Sequence, residues 1–194
     1  MKTVLLLLCT GVEIYEAAAF YDVLGWSGEY GTEKIEVVTV GLQDEVRCTF
    51  GLKVLPDYIL EDIMVDDFDG LAIPGGFGTY GFYEQAYTEA VVDLIHQFDS
   101  QTKPIATICV GALPVGYSGV LTGRQATTYH LRDGERRKQL ASFGVKVIDQ
   151  PLVCDQNIVS SNSPATAMEV AFWLLAYLTD EENANLIRHL MGYT

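Results

Sequence analysis

Short runs of branched apolar residues alternate along this chain with longer segments of helical periodicity, and no other feature of the sequence constrains the fold as much. Thr3 to Leu8, Ile35 to Val40, Gly70 to Ile73, Ile105 to Ile108, Val145 to Ile148 and Ile158 to Ser161 read as strands. Short β pieces near Lys53 to Leu55 and Ala126 to Thr128 complete the set. Between them, Glu16 to Leu24, Phe82 to Asp99, Gly111 to Tyr117, Asp133 to Phe143, Pro164 to Leu178 and Glu181 to Met191 read as helices. Strands that alternate with helices predict a mostly parallel sheet covered on both faces, a doubly wound α/β fold. Two helix starts carry signals: Ser163 before Pro164 offers a capping hydroxyl with proline at the first helical position, and Thr179 with Glu182 makes a capping box.

The connections are short, and no linker or repeat interrupts the 194 residues, so one domain over residues 1–194 is expected. An apolar fraction of 49% against 20% charged residues excludes a disordered chain and supports a buried core. The 12 basic and 26 acidic residues give a formal charge of -14, a field that repels a phosphate backbone, so no nucleic-acid partner is expected. The apolar run from Val4 to Cys9 is shorter than a signal core and far shorter than a membrane span, which predicts a buried first strand and no membrane association. The four cysteines, Cys9, Cys48, Cys109 and Cys154, are widely spaced and form no CxxC or His/Cys cluster. They read as reduced thiols of a cytoplasmic protein, with no metal site and no cofactor expected.

The segment Ile105-Ala-Thr-Ile-Cys109-Val-Gly-Ala-Leu-Pro-Val-Gly116 places a cysteine between a β-branched run and a glycine that opens a helical stretch. Those are the mechanics of a nucleophile elbow, in which a sharp strand-to-helix turn lifts a reactive side chain above the carboxyl end of the sheet. The elbow pattern has glycine two residues before and two after the nucleophile; here Thr107 takes the first position and Gly111 keeps the second. A helix N-terminus stabilises negative charge, so this placement predicts a thiol pKa below the free value of about 8.5. The alternative is a small buried cysteine that fills a core site.

Directly after another strand comes Ile73-Pro-Gly75-Gly76-Phe-Gly-Thr-Tyr-Gly81. Adjacent glycines let backbone amides approach a ligand or a developing oxyanion, and Gly75 and Gly76, with the amide of Val110, are the candidate oxyanion donors. A phosphate cradle is the rival reading, although neither GxGxxG nor GxxxxGK[ST] is present. A tight structural turn is the plain one. At the mouth of the first strand, Gly11-Val-Glu13-Ile-Tyr-Glu16 supplies two acids in a first helical turn. Either can serve only as a dipole partner, or can share a proton with the thiol, which raises the pKa of the acid and suits it to general acid/base work.

Together the Pro-Gly-Gly turn, Ile-Cys-Val-Gly, Gly11 with Glu16 five residues on, and Ala126-Thr-Thr-Tyr-His130 resemble the ThiJ/PfpI superfamily, over nearly the whole chain. That superfamily includes the parkinsonism-associated protein deglycase and is related to class I glutamine amidotransferases. The resemblance implies a flavodoxin-like sheet, a homodimer, Cys109 as an oxidisable nucleophile and Glu16 as its proton partner. Activities reported in the family include glutathione-independent glyoxalase, deglycation, isocyanide hydration, peptidase and chaperone or redox-sensing roles. Val110 stands where peptidase-type members carry histidine and isocyanide hydratases threonine, and Glu16 where the latter carry aspartate, so both activities are disfavoured.

The deglycase-like branch often has histidine after the Thr-Thr pair; here that position is Tyr129, with His130 next. On a strand the two would point to opposite faces. His130 is a candidate base if the register slips by one, and Tyr129 a candidate substrate contact. His96 and His189 fall in helix patterns away from the strand ends, and Glu169 has no accompanying histidine, which disfavours glutamine amidotransfer. The resulting expectation is an enzyme that takes a small-molecule carbonyl substrate as a Cys109 hemithioacetal. The rival is a redox-responsive protein or chaperone that senses oxidants through Cys109, and a binding module without turnover is a third reading.

Overall fold

In the computed structural model, which describes residues 1–193, seven strands form the central sheet. They are β1 (Lys2–Leu8), β2 (Ile35–Gly41), β3 (Tyr58–Ile59), β4 (Gly70–Ile73), β5 (Ile105–Thr107), β6 (Leu152–Asp155) and β7 (Ile158–Ser161). The helices are α1 (Ile14–Tyr30), α2 (Phe82–Ala86), α3 (Glu89–Ser100), α4 (Ala112–Tyr117), α5 (Glu135–Ser142), α6 (Ala167–Leu178) and α7 (Glu181–Leu190). The strand order is β6-β7-β5-β4-β1-β2-β3, and every neighbouring pair is parallel except β6 with β7. This is the expected mostly parallel α/β sheet.

The chain steps from β1 outward through β2 to β3, then returns to the other side of β1 for β4 and continues to β5. Right-handed crossovers in the two directions carry their helices to opposite faces. Accordingly α1, α6 and α7 pack with one another, while α4 packs with α3 and α5. Leu5, Leu6, Leu7, Leu71, Ile73 and Ile105 are fully buried in the strands between these layers. The reversal of direction between β1 and β4 is a topological switch point, where the loops after neighbouring parallel strands part and leave a crevice. Register keeps those ends level, with Leu6 beside Ala72 and Ile73 beside Thr107.

Several elements differ from expectation. The Val145 to Ile148 strand shrinks to Lys146–Val147 and pairs with Gln125–Ala126 in a small parallel ribbon outside the central sheet. Lys53–Val54 likewise pairs antiparallel with Val46–Arg47. The Phe82 to Asp99 pattern breaks into α2 and α3 because the Thr88 carbonyl accepts from Val91 and Val92, starting a second helix. Neither capping signal operates as read. Ser163 makes no side-chain cap and precedes a short 3-10 turn. The cap of α7 is Asp180, whose carboxylate accepts from the Asn183 amide at 2.8 Å, while the Thr179 hydroxyl donates back to Leu175 O at 2.7 Å. No helix among the described residues is long and apolar enough to cross a membrane.

Candidate active site

The loops after β1, β4 and β5 meet at the switch point, and each contributes one part of a single cluster. After β5 the chain runs through Ile108 into a 3-10 turn, Cys109–Gly111, that leads directly into α4. Cys109 has φ 55°, a left-handed conformation that costs a residue with a side chain about 1–3 kcal/mol unless its surroundings hold it. They do so at both ends. The Thr128 hydroxyl donates to the Cys109 carbonyl at 2.8 Å, and the Gly111 amide to the Ile108 carbonyl at 2.8 Å. A Cβ on Gly111 would collide with the Ile73 carbonyl, so only glycine lets the turn approach β4 this closely.

Glu16 reaches the same point from the first turn of α1 and is fully buried. One carboxyl oxygen, Oε2, accepts from the Gly75 amide at 2.6 Å. The other, Oε1, is buried and makes no hydrogen bond, and the carboxyl group interacts with the Cys109 thiol. Burial, reinforced by the nearby Glu13 carboxylate, pushes the Glu16 pKa up to about 8 against the lowering pull of the Gly75 amide and the thiol. Glu16 therefore holds its proton at neutral pH.

The Cys109 thiol, 6% exposed, is pushed up as well, first by burial and then by negative charge on Glu16, with the Val110 amide opposing. This reverses the expected lowering by the helix N-terminus. α4 has six residues and a weak dipole, and removing a thiolate from water outweighs it. Thiol and carboxyl are a coupled pair: ionising either one raises the pKa of the other.

Gly75 and Gly76 divide the expected oxyanion role. The Gly75 amide is committed to Glu16, and a Cβ at Gly75 would stand 2.9 Å from Glu16 Oε2 and 3.0 Å from the Val110 nitrogen. The Val110 amide is directed to the thiol itself. Gly76, bridged to Val12, has an amide that makes no hydrogen bond among the described residues.

A family model for the DJ-1/PfpI family matches residues 2–177. The chain belongs to the DJ-1/PfpI family. Protein dj-1beta of Drosophila melanogaster is 31% identical over 183 residues, covering 93% of this chain and 91% of that protein. The glutathione-independent glyoxalase DJR-1.2 of Caenorhabditis elegans is 26% identical over 152 residues, covering 78% and 77%. The crystal structure of the Drosophila DJ-1beta protein superposes with a TM-score of 0.88 at 28% identity, covering 100% of this chain and 98% of that one.

In this DJ-1/PfpI chain Cys109, Glu16, Gly75, Gly76 and Val110 come together, whereas the two ring residues after the Thr-Thr pair do not join them by hydrogen bonds. Residues 127–130 are not a strand, so the opposite-face argument does not apply. The Thr127 amide donates to Ser160 Oγ at 2.9 Å, and His130 Nδ1 donates to the Asn162 carbonyl at 3.1 Å. Among the described residues neither His130 nor Tyr129 hydrogen-bonds Cys109 or Glu16, and Tyr129 packs half-buried against the core. His130 is thus tied to the loop after β7, and Glu16 is the carboxyl that interacts with the thiol.

Thr128, which the sequence presented only as part of the Thr-Thr pair, has a defined role in clamping the elbow. His96 lies on α3 and bonds the Ser118 carbonyl, and Glu169 on α6 pairs with Arg188. Cys9 and Cys48 are buried in the core, and Cys154 is exposed. A cavity of about 620 Å³ lined by Leu60, Ile63, Met64, Asp93 and Leu94 shares no residue with this cluster.

Proposed function

We propose that this protein is a cysteine-dependent enzyme acting on small 2-oxoaldehydes as a glutathione-independent glyoxalase. The observation that carries the reading is the buried, proton-holding Glu16 carboxyl, which interacts with the Cys109 thiol and keeps one oxygen free of any other partner. Such an acid, with a pKa near the working pH, suits the proton transfers that an isomerisation needs. The similarity to the nematode glyoxalase points the same way.

In the proposed cycle Sγ adds to the aldehyde carbon. The S–C bond forms as the carbonyl π bond breaks, and the thiol proton ends on the former aldehyde oxygen, which the Gly76 amide receives. Glu16 in its ionised form removes the hydrogen on that carbon as a proton and returns it to the neighbouring ketone carbon, while the hydroxyl proton passes from the former aldehyde oxygen to the former ketone oxygen as the C=O bond moves between the two carbons. The hemithioacetal thereby becomes the thioester of a 2-hydroxy acid. Water hydrolyses the thioester and restores the thiol. The aldehyde carbon is oxidised and the ketone carbon reduced, so no external electron carrier enters.

The test is conversion of methylglyoxal to lactate without added glutathione. Cys109→Ala should abolish it and Glu16→Gln should lower kcat at least 100-fold, the range of general acid–base catalysis. Unchanged turnover in Cys109→Ala would end the proposal. Oxidant sensing is the less supported alternative, because oxidation rate follows thiolate character and exposure, and Cys109 has little of either.

A homodimer belongs to the same reading. Tyr15 and Tyr21 on α1, with Leu52, Leu55 and Tyr58, are all more than half exposed, apolar surface that a second copy would cover. Sedimentation at micromolar concentration distinguishes a dimer from a 21.4 kDa monomer.

A further inference from the structure

Three aromatic side chains that serve no part of the core stand together beside this site. The ring of Phe50 lies 5.8 Å from that of Phe77 and 5.9 Å from that of Tyr80, and Phe77 and Tyr80 are 6.4 Å apart, each pair tilted or edge-on. Phe50 is 75% exposed, Tyr80 40% and Phe77 38%. Phe50 also has φ 64°, a conformation that a bulky aromatic residue seldom adopts. An exposed side chain held in a strained backbone gains nothing from core burial, and such strain concentrates at ligand sites.

The cluster is built onto the catalytic loops. The Gly11 carbonyl accepts from the Thr49 hydroxyl at 2.7 Å and from the Phe77 amide at 3.0 Å, so one oxygen clamps the Phe50 turn to the Gly75-Gly76 segment. Thr49 is held again by its amide to the Val12 carbonyl at 2.9 Å, and Tyr80 by its amide to the Phe77 carbonyl at 2.9 Å. Phe77 directly follows Gly76, whose amide is free for substrate, and stands two residues beyond Gly75, which packs on Val110. The aromatic cluster is thus fixed to the same Gly11 and Gly75-Gly76 loops that hold Glu16 beside the elbow.

We infer that Phe50, Phe77 and Tyr80 form a stacking shelf for the substituent on a carbonyl held at Cys109, making aryl-substituted 2-oxoaldehydes better substrates than methylglyoxal. The three side chains carry no charge, and the chain's formal charge of -14 opposes an anionic substituent, so a flat uncharged group is the occupant that fits. The inference rests on the proposed 2-oxoaldehyde chemistry, but the shelf itself can be tested without turnover.

The first measurement is the ratio of kcat/KM for phenylglyoxal to that for methylglyoxal in wild type, Phe50→Ala and Tyr80→Ala, two exposed positions whose truncation leaves the core intact. The ratio should exceed one in wild type and fall about tenfold in Phe50→Ala, the scale of one lost aromatic contact. The second is the rate of Cys109 alkylation by N-benzyl iodoacetamide relative to iodoacetamide, which needs no catalysis. A benzyl advantage that Phe50→Ala removes, in a protein that turns over no glyoxal, upholds the shelf and rejects the glyoxalase reading. A benzyl ratio that Phe50→Ala leaves unchanged overturns the shelf. So does a shift of the protein's sedimentation on Phe50→Ala, which would make the cluster a contact between copies of the chain.

Discussion

Replacing Glu16 by Gln should make the protein more resistant to alkaline pH, and the size of the effect follows from the carboxyl's surroundings. In the fold Glu16 keeps its proton to about pH 8; in the unfolded chain it releases it near 4.5. The native state therefore binds more protons than the unfolded state between these values, and stability falls as pH rises through that interval. At about 1.4 kcal/mol for each pH unit, the loss approaches 4–5 kcal/mol by pH 8.5 and is absent below pH 4.5. Gln at this position is neutral at every pH and still offers the Gly75 amide an oxygen, so it should escape the loss.

The assay is urea unfolding of both proteins at pH values from 4.5 to 8.5, with the stability difference plotted against pH so that all other titrations cancel. The variant should gain on wild type steadily, with most of the gain between pH 5 and 8. Parallel curves would mean that Glu16 is already ionised in the fold at neutral pH, and the proton-sharing pair would have to be abandoned.

Three further outcomes follow from the same contacts. Gly75→Ala drives a methyl group against Glu16 and Val110, so it should cost about 1–3 kcal/mol of stability and slow Cys109 alkylation roughly 10- to 100-fold, read by denaturation and by peptide mass spectrometry. Thr128→Val leaves the buried Cys109 carbonyl without its donor and should lower stability by about 1–2 kcal/mol in the same denaturation assay, whereas Thr128→Ser should keep most of it. Asn183→Leu removes amide bonds to Ser27, Glu33 and Thr179 and an acceptor for Thr32 between α1 and α7, and thermal unfolding should report a loss of roughly 3 kcal/mol.

Elements whose apolar character is dictated by burial on both faces were legible in the sequence. β4 and β7 have the bounds that their residues imply, Gly70–Ile73 and Ile158–Ser161. Edge strands were not: β3 has two residues and neither is buried, and β6 alternates buried Val153 with exposed Cys154, so neither gives an apolar run. α1 passes through Gly25 and Gly28 to Tyr30, where a helix of that composition would be expected to stop. Gly28 is needed for approach rather than termination, since a Cβ there would lie 2.7 Å from the Ile35 carbonyl. In the site, glycine and cysteine spacing pointed to the loops that carry Cys109, Gly75 and Gly76 but left Glu13 and Glu16 open, and the choice of Glu16 came with the family resemblance. The raised thiol pKa and the pairing of Gly75 with Glu16 did not, because desolvation and a contact 59 residues apart leave no local trace in a sequence.

The four cysteines also differ in what reaches them from outside. Cys9 lies within the core, where burial pushes its thiol up to about 12, and Cys109 is nearly covered, but Cys154 stands exposed on β6 at the open border of the sheet. In air, the first thiol to couple with another molecule or with a small disulfide is therefore Cys154, outside the cluster around Cys109. A Cys154→Ser background removes the exposed thiol and leaves the three buried ones, of which Cys109 lies at the elbow.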